Sequence, residues 1–210
     1  AEYYDGLKEY KDGVKEFEEE TNLRCQIVVD CSSSMYFPSI TKPTLEKPNK
    51  IFFSVYAAAA LIQLLRRQRD AVGLTLFSDK IHLHTPSKSS SVHHKMLYSE
   101  LSKLLSDTLF NVMSTTNIAD SLHEIAERIH RRSMVIIFTD GFDFQRKNEL
   151  FLALQHLRHN KHSVILFHVY DKSSEIDFQF ENKPYKFIDM ETNEEIKVNA
   201  SDKFSRKDLD

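Results

Sequence analysis

The sequence is poor in glycine, cysteine and long apolar runs, and each shortage excludes a class of protein. Only four glycines occur in 210 residues, and their placement permits neither a GxGxxG fingerprint nor a P-loop. The two cysteines, Cys25 and Cys31, lie on one apolar run, too close along an extended strand to reach each other. Reduced thiols and a cytoplasmic location are therefore expected. The longest apolar stretch, residues 55–62, is too short to span a bilayer.

The composition indicates one globular domain. Apolar residues make up 41% and charged residues 28% of the chain, which is ordinary for a folded domain of 210 residues. The net charge is −3, and the basic stretches at 66–69 and 156–162 fall beside predicted helices, where solvated charge is usual. We therefore expect no nucleic-acid partner and no membrane contact. The chain begins with Ala rather than Met, which is compatible with a fragment of a longer protein.

Short apolar runs alternate with helical patterns, which predicts a doubly wound, mostly parallel sheet flanked by helices. The predicted strands are 25–30, 71–77, 81–85, 134–139 and 164–170, and the predicted helices are 49–69, 93–107, 117–131 and 148–159. The first strand is rich in β-branched residues on both faces, so we expect it to be central. Strands 71–77 and 81–85 are expected to form a hairpin at a sheet edge, while 134–139 and 164–170 are expected to be buried.

The two ends of the chain differ from this central pattern. Residues 1–22 are charged and lack a clear period, which predicts an N-terminal arm. Residues 23–210 are predicted to form the single domain. Within it, short strands near 186–189 and 195–198 predict a closing β-hairpin over about 176–198.

Oxygen-bearing side chains follow the predicted strands at three places. Asp30, Ser32 and Ser34 come directly after the first strand, Thr116 precedes a helix, and Asp140 follows a later strand. Ligands of open parallel sheets bind beyond the carboxyl ends of the strands, so these three places are the ones to inspect. Carboxylates and hydroxyls are the ligands of hard cations such as Mg²⁺ and Mn²⁺. The sequence therefore predicts a site for a divalent cation.

The same residues carry a resemblance to a known family. Asp-x-Ser-x-Ser at 30–34, Thr116 followed by Asn-Ile-Ala-Asp, and Thr-Asp-Gly at 139–141 resemble the von Willebrand factor A domain and its metal-ion-dependent adhesion site. The resemblance implies that Ser32, Ser34 and Thr116 supply hydroxyl ligands. It also implies that Asp30 and Asp140 coordinate directly or through water, and that an acidic side chain of a partner protein completes the shell.

A narrower resemblance covers nearly the whole chain. The segments FEEETNLR at 17–24, DAVGL at 70–74, LRHNKH at 157–162 and FIDMET at 187–192 resemble the bacterial group catalogued as domain of unknown function 58. Members of that group are often linked to MoxR-type AAA+ ATPases, so the resemblance implies such an ATPase as a partner class. The function expected is a non-enzymatic, metal-ion-dependent interaction module that binds an Asp or Glu of a partner.

Other chemistries fit the sequence less well. A Mg²⁺-dependent phosphohydrolase or phosphotransferase with Asp30 as nucleophile is the alternative, but position 32 is Ser where haloacid-dehalogenase-like enzymes carry a second Asp. The sequence His123-Glu124 lacks the second histidine of the zinc-protease spacing. No Gly-x-Ser-x-Gly elbow occurs, which disfavours a serine hydrolase.

Overall fold

A five-stranded sheet forms the centre of the computed structural model, which describes residues 23–39, 42–106, 117–141, 147–177, 184–188 and 195–199. Its strands are β1 (Arg24–Asp30), β2 (Ala71–Phe77), β3 (Ile81–His84), β4 (Met134–Thr139) and β5 (Ser163–His168). They lie in the order β3-β2-β1-β4-β5, so the first strand is central as predicted. All neighbours pair in parallel except β2 and β3, whose antiparallel pairing confirms the predicted hairpin at the edge.

Helices cover both faces of this sheet. They are α1 (Lys50–Arg67), α2 (Ser91–Ser106), α3 (Ile118–Arg128) and α4 (Lys147–His159). Successive β1 side chains point to opposite faces, so Ile27 and Val29 pack with α1 and α2, whereas Val28 packs with α3 and α4. The sheet is therefore doubly wound, as the sequence pattern predicts.

Two asparagines fix the starts of α1 and α3 near the carboxyl ends of the strands. The Asn49 side chain accepts a hydrogen bond of 2.9 Å from the backbone N–H of Phe52, which caps α1. Asn117 caps α3 in the same way through the N–H of Asp120. Its own backbone N–H donates to the carbonyl of Ser78 at 3.1 Å, which ties the start of α3 to the end of β2.

The prediction that residues 164–170 form a buried strand is wrong in part. The strand exists as β5, but it lies at the sheet edge, and the side chains of Ile165 and Phe167 are 42% and 41% exposed. An apolar run predicts that a segment joins a sheet, whereas exposure depends on the position of the strand within that sheet.

The predicted closing hairpin is confirmed as a separate antiparallel pair of strands, β6 (Pro184–Ile188) and β7 (Glu195–Asn199). Lys186 and Glu195 form an ion pair of 2.6 Å across it. The predicted N-terminal arm, residues 1–22, lies outside the described residues.

Candidate metal centre

The candidate site lies where the connections of β1 and β4 diverge. These two strands are parallel neighbours, so their carboxyl ends meet at one edge of the sheet. The chain leaves β1 towards α1 on one face and leaves β4 towards α4 on the other. The backbone therefore opens a crevice between residues 30–34 and 139–141, and such a crevice is the usual ligand-binding place of a doubly wound sheet.

Asp30 is fully buried and connects the two sides of this crevice. One carboxyl oxygen accepts a hydrogen bond of 2.9 Å from the backbone N–H of Ser32. The other accepts one of 2.6 Å from the hydroxyl of Thr139, which itself accepts the N–H of Gly141 at 3.0 Å. Burial, and next the negative charge of Asp140, raise the pKa of Asp30 to about 7 despite these hydrogen bonds. Ionised Asp30 is therefore disfavoured in free energy at this site.

Ser32, Ser34 and Asp140 form a chain of oxygens across the crevice. The hydroxyl oxygens of Ser32 and Ser34 are 3.1 Å apart, and the Ser34 hydroxyl donates to a carboxylate oxygen of Asp140 at 3.0 Å. A 3-10 turn at Ser33–Tyr36 gives the serines this arrangement, and the buried side chain of Met35 anchors the turn in the core. Four of the five predicted ligand positions therefore come together.

Thr116, the fifth predicted position, lies outside the described residues, as does Asp143 of the alternative enzymatic hypothesis. The neighbouring Asn117 is described, and its hydrogen bond to Ser78 brings the start of α3 to the edge of the sheet where β1 also ends.

A buried lysine, which the sequence-based prediction missed, occupies the rim of this crevice. The ammonium of Lys50 lies 2.6 Å from a carboxylate oxygen of Asp140 and 2.7 Å from one of Glu175. The side chain of Lys50 is only 4% exposed, whereas that of Glu175, on a single π-helical turn at Lys172–Ile176, is 35% exposed. Burial acts to lower the pKa of Lys50, but the two carboxylates, Asp140 foremost, outweigh burial and raise it above its ordinary value.

One signal in the sequence could have drawn attention to Lys50. A cation in the first turn of a helix faces the positive end of the helix dipole, and this one precedes the apolar residues Ile51, Phe52 and Phe53. Thr139 carried a signal as the first residue of the Thr-Asp-Gly motif at 139–141, whereas Glu175 carried none.

The oxygens of the crevice fit a small divalent cation. Neighbouring ligands in an octahedral shell with bonds of about 2.0–2.1 Å lie about 3.0 Å apart. The separations of 3.1 Å between Ser32 and Ser34 and of 3.0 Å between Ser34 and Asp140 match that spacing. Among the described residues, no group of three or more His, Cys, Asp and Glu side chains could hold a metal, so an ion here depends on the serine hydroxyls.

A groove of about 390 Å³ opens beside Lys50. Pro38, Phe53 and Tyr170 line it together with Lys50, and Phe53 and Tyr170 are about half exposed. An apolar surface therefore adjoins the polar crevice.

Comparisons with known proteins identify the family and the fold. A family model described as "Protein of unknown function DUF58" matches residues 9–210. Comparison with curated proteins gives no match. Among solved structures, the conserved hypothetical protein BatB from Bacteroides thetaiotaomicron is similar at 15% identity and a TM-score of 0.54, covering 84% of this chain and 80% of that one. An aerotolerance-related membrane protein from Bacteroides fragilis aligns over 84% of this chain and 81% of its own, at 17% identity and a TM-score of 0.48.

None of the helices that the structure describes is both long and apolar enough to cross a membrane.

Proposed function

The chain belongs to the family described as proteins of unknown function DUF58 and has a von Willebrand factor A-like fold, and we propose that it is a metal-ion-dependent protein-interaction module. The observation that carries this proposal is the convergence of Asp30, Ser32, Ser34 and Asp140 at the crevice between β1 and β4. A bound Mg²⁺ or Mn²⁺ would supply a Lewis-acidic position at which an Asp or Glu of a partner completes the coordination.

Each residue of the crevice has a part in this proposal. Ser32 and Ser34 offer neutral hydroxyl ligands, and Asp140 offers a carboxylate oxygen beside them. Asp30 holds the turn after β1 and the end of β4 together, and it coordinates directly or through water. Thr116 is proposed as the remaining hydroxyl ligand. With Asp30 and Asp140 as its proposed carboxylate ligands, a divalent ion keeps an attraction for a further acid.

The partner is proposed to be a protein with an acidic side chain, and a MoxR-type AAA+ ATPase is the candidate class because of the family resemblance. The groove beside Lys50 supports a protein partner, since the half-exposed Phe53 and Tyr170 offer apolar contacts next to the crevice. We propose that the interaction takes place in the cytoplasm.

A binding role is favoured over catalysis by the position of Asp30. As the nucleophile of a phosphotransfer reaction, Asp30 would need an accessible oxygen, yet the residue is fully buried and both carboxyl oxygens accept hydrogen bonds. Turnover of an aryl phosphate with Mg²⁺ that disappears in Asp30→Asn would overturn this choice.

The proposal is tested by counting bound metal. Titration with Mn²⁺, followed by the electron paramagnetic resonance signal of the free ion, should give one bound ion per wild-type chain. The double variant Ser32→Ala/Ser34→Ala should lose this binding because it lacks two neutral ligands. Ser102→Ala/Ser106→Ala is the matched control, since it removes two exposed hydroxyls of α2. Equal binding by all three proteins, or by none, refutes the proposed metal centre.

Partner binding needs a second experiment. A purified MoxR-type ATPase, immobilised in buffer with Mg²⁺, should retain the wild-type chain and release it when a chelator is added. The Ser32→Ala/Ser34→Ala variant should not be retained. Retention that ignores both the chelator and the serines would show that the crevice is not the recognition surface.

A further inference from the structure

Lys50 is an unusual residue to find inside a predicted cation site. Its ammonium is almost completely buried, which costs desolvation, and it stands in the first turn of α1, where the helix dipole disfavours a cation. The carboxylates of Asp140 and Glu175 offset both costs at distances of 2.6 and 2.7 Å. Lys50 is therefore already paired with Asp140, a carboxylate that the proposed metal centre needs.

We propose that Lys50 is a built-in competitor of the metal: it holds Asp140 in the metal-free protein, and Glu175 retains its ammonium when Asp140 turns to the metal. This inference rests on the metal centre proposed above. Neither Lys50 nor Glu175 is a proposed ligand of the metal, so the role that the inference assigns to them is regulatory.

Competition follows from the way in which Asp140 is shared. One of its oxygens accepts the Ser34 hydroxyl and the other contacts the Lys50 ammonium. A divalent ion among Ser32, Ser34 and Asp140 must therefore either displace the ammonium from Asp140 or bind beside a positive charge. Displacement costs the ion pair between Lys50 and Asp140, and binding beside the ammonium places like charges close together in a poorly solvated place, so both alternatives weaken metal binding.

Glu175 makes displacement of Lys50 feasible. A buried ammonium without any partner would be very costly, but Lys50 already contacts Glu175 and keeps that contact after Asp140 leaves. The second carboxylate oxygen of Glu175 accepts the backbone N–H of Asp171, which fixes the carboxylate at the π-helical turn. Glu175 is therefore a positioned acceptor rather than a loose surface charge.

The opposite roles of the two residues give opposite effects on metal binding. Lys50→Gln should tighten Mn²⁺ binding about tenfold, within the range of about 5- to 150-fold that is typical when two bound species are coupled. Glu175→Gln should weaken binding, because the displaced ammonium then loses its remaining partner.

A double-mutant cycle separates this exchange from general electrostatics. If Glu175 acted only as a remote negative charge, its removal would weaken binding equally with and without Lys50. The proposal instead requires that Glu175→Gln has a much smaller effect in the Lys50→Gln background. Lys103→Gln and Glu100→Gln are the matched controls, because these residues form an exposed ion pair of 2.7 Å on α2.

The experiment measures Mn²⁺ affinity by calorimetry on the full chain, with circular dichroism as the check of folding. Tighter binding by Lys50→Gln, weaker binding by Glu175→Gln and strong coupling between them support the proposal. Unchanged or weaker binding by Lys50→Gln overturns it and leaves the metal centre standing. Absence of binding in the wild type and in Lys50→Gln shows that the metal centre itself is wrong.

Lys50→Met, which keeps most of the aliphatic stem, replaces Lys50→Gln if the latter does not fold. Should both fail to fold, Glu175→Asp decides, because it keeps the negative charge at this more exposed position but draws the carboxylate away from the Lys50 ammonium. Weaker Mn²⁺ binding then supports the proposal, and unchanged or tighter binding overturns it.

Discussion

Replacement of Asp30 by Asn should stabilise the metal-free protein strongly at pH 8 and only slightly at pH 5. The reason is the buried carboxyl, whose pKa is raised from 3.8 to about 7, first by burial and next by Asp140. The folded protein holds this proton more tightly than the unfolded chain does. Asp30 therefore favours folding most below pH 3.8, and its contribution falls as the pH rises to about 7 and is constant above.

The magnitude follows from the two pKa values. A difference of 3.2 between 3.8 and about 7 corresponds to about 4 kcal/mol at pH 8, with about 1.36 kcal/mol for each step of one in pKa. At pH 5, which lies 1.2 above the unfolded pKa of 3.8, ionisation of Asp30 costs only about 1–2 kcal/mol. Asn removes the charge but weakens the hydrogen bonds to Ser32 and Thr139 by about 1 kcal/mol. The effect of the substitution should thus change by about 2–3 kcal/mol between pH 5 and pH 8.

Urea denaturation of both proteins at pH 5 and pH 8, in the presence of a chelator, measures this change. Asp120→Asn, at the exposed start of α3, is the matched control for an Asp-to-Asn change. Addition of Mg²⁺ at pH 8 should stabilise the wild type and leave Asp30→Asn unaffected. A loss of stability in Asp30→Asn that is equal at both pH values would refute the reasoning, because it would show that ionised Asp30 carries no burial cost.

Three further predictions concern the fold. Leu122→Ala should lower the free energy of unfolding, measured by urea titration, by about 2–5 kcal/mol, because truncation of this fully buried side chain of α3 leaves a cavity. Leu105→Ala is the control and should lower it much less, because Leu105 is 39% exposed. Gly73→Ala should lower the free energy of unfolding by about 1–3 kcal/mol, because the added Cβ would lie 2.3 Å from the Gln26 side-chain oxygen and 2.7 Å from the Thr85 carbonyl oxygen. Unchanged thermal stability would contradict this close packing. The thiols of Cys25 and Cys31 should react with a maleimide at pH 8 only after unfolding, because burial raises the pKa of both thiols, that of Cys25 to about 12. Rapid labelling of the native protein would contradict this prediction.

The sheet and its helices were predictable because local patterns determine them. The apolar run at 25–30 and the capped, periodic stretch from Asn49 locate β1 and α1 within a residue or two. The exposure of β5 was not predictable in this way, since an edge strand and a central strand share the same composition, and only the strand order places β5 at the edge.

The candidate metal centre was predictable where its residues follow strands, and not where a contact joins distant parts of the chain. Asp30, Ser32, Ser34 and Asp140 were found because carboxyl ends of parallel strands meet. The contact of Lys50 with Glu175 spans 125 positions, and no local pattern records it. An ion pair of this kind depends on how α1 and the turn after β5 pack, which follows from the whole fold.

The two aspartates of the candidate metal centre are held under opposite electrostatic conditions, and this difference suits reversible binding. Asp140 is paired with the Lys50 ammonium at 2.6 Å, whereas Asp30 accepts its hydrogen bonds from the uncharged groups of Ser32 and Thr139. A cation gains most at Asp30, where it relieves the cost of an ionised buried carboxylate, and least at Asp140, where it competes with an ammonium. In the proposed module, a carboxylate from a partner adds a favourable interaction with the ion and thereby raises the occupancy of the site. We therefore propose that pairing of Lys50 with Asp140 alone weakens metal binding without abolishing it, so that occupancy of the site depends on a carboxylate from the partner.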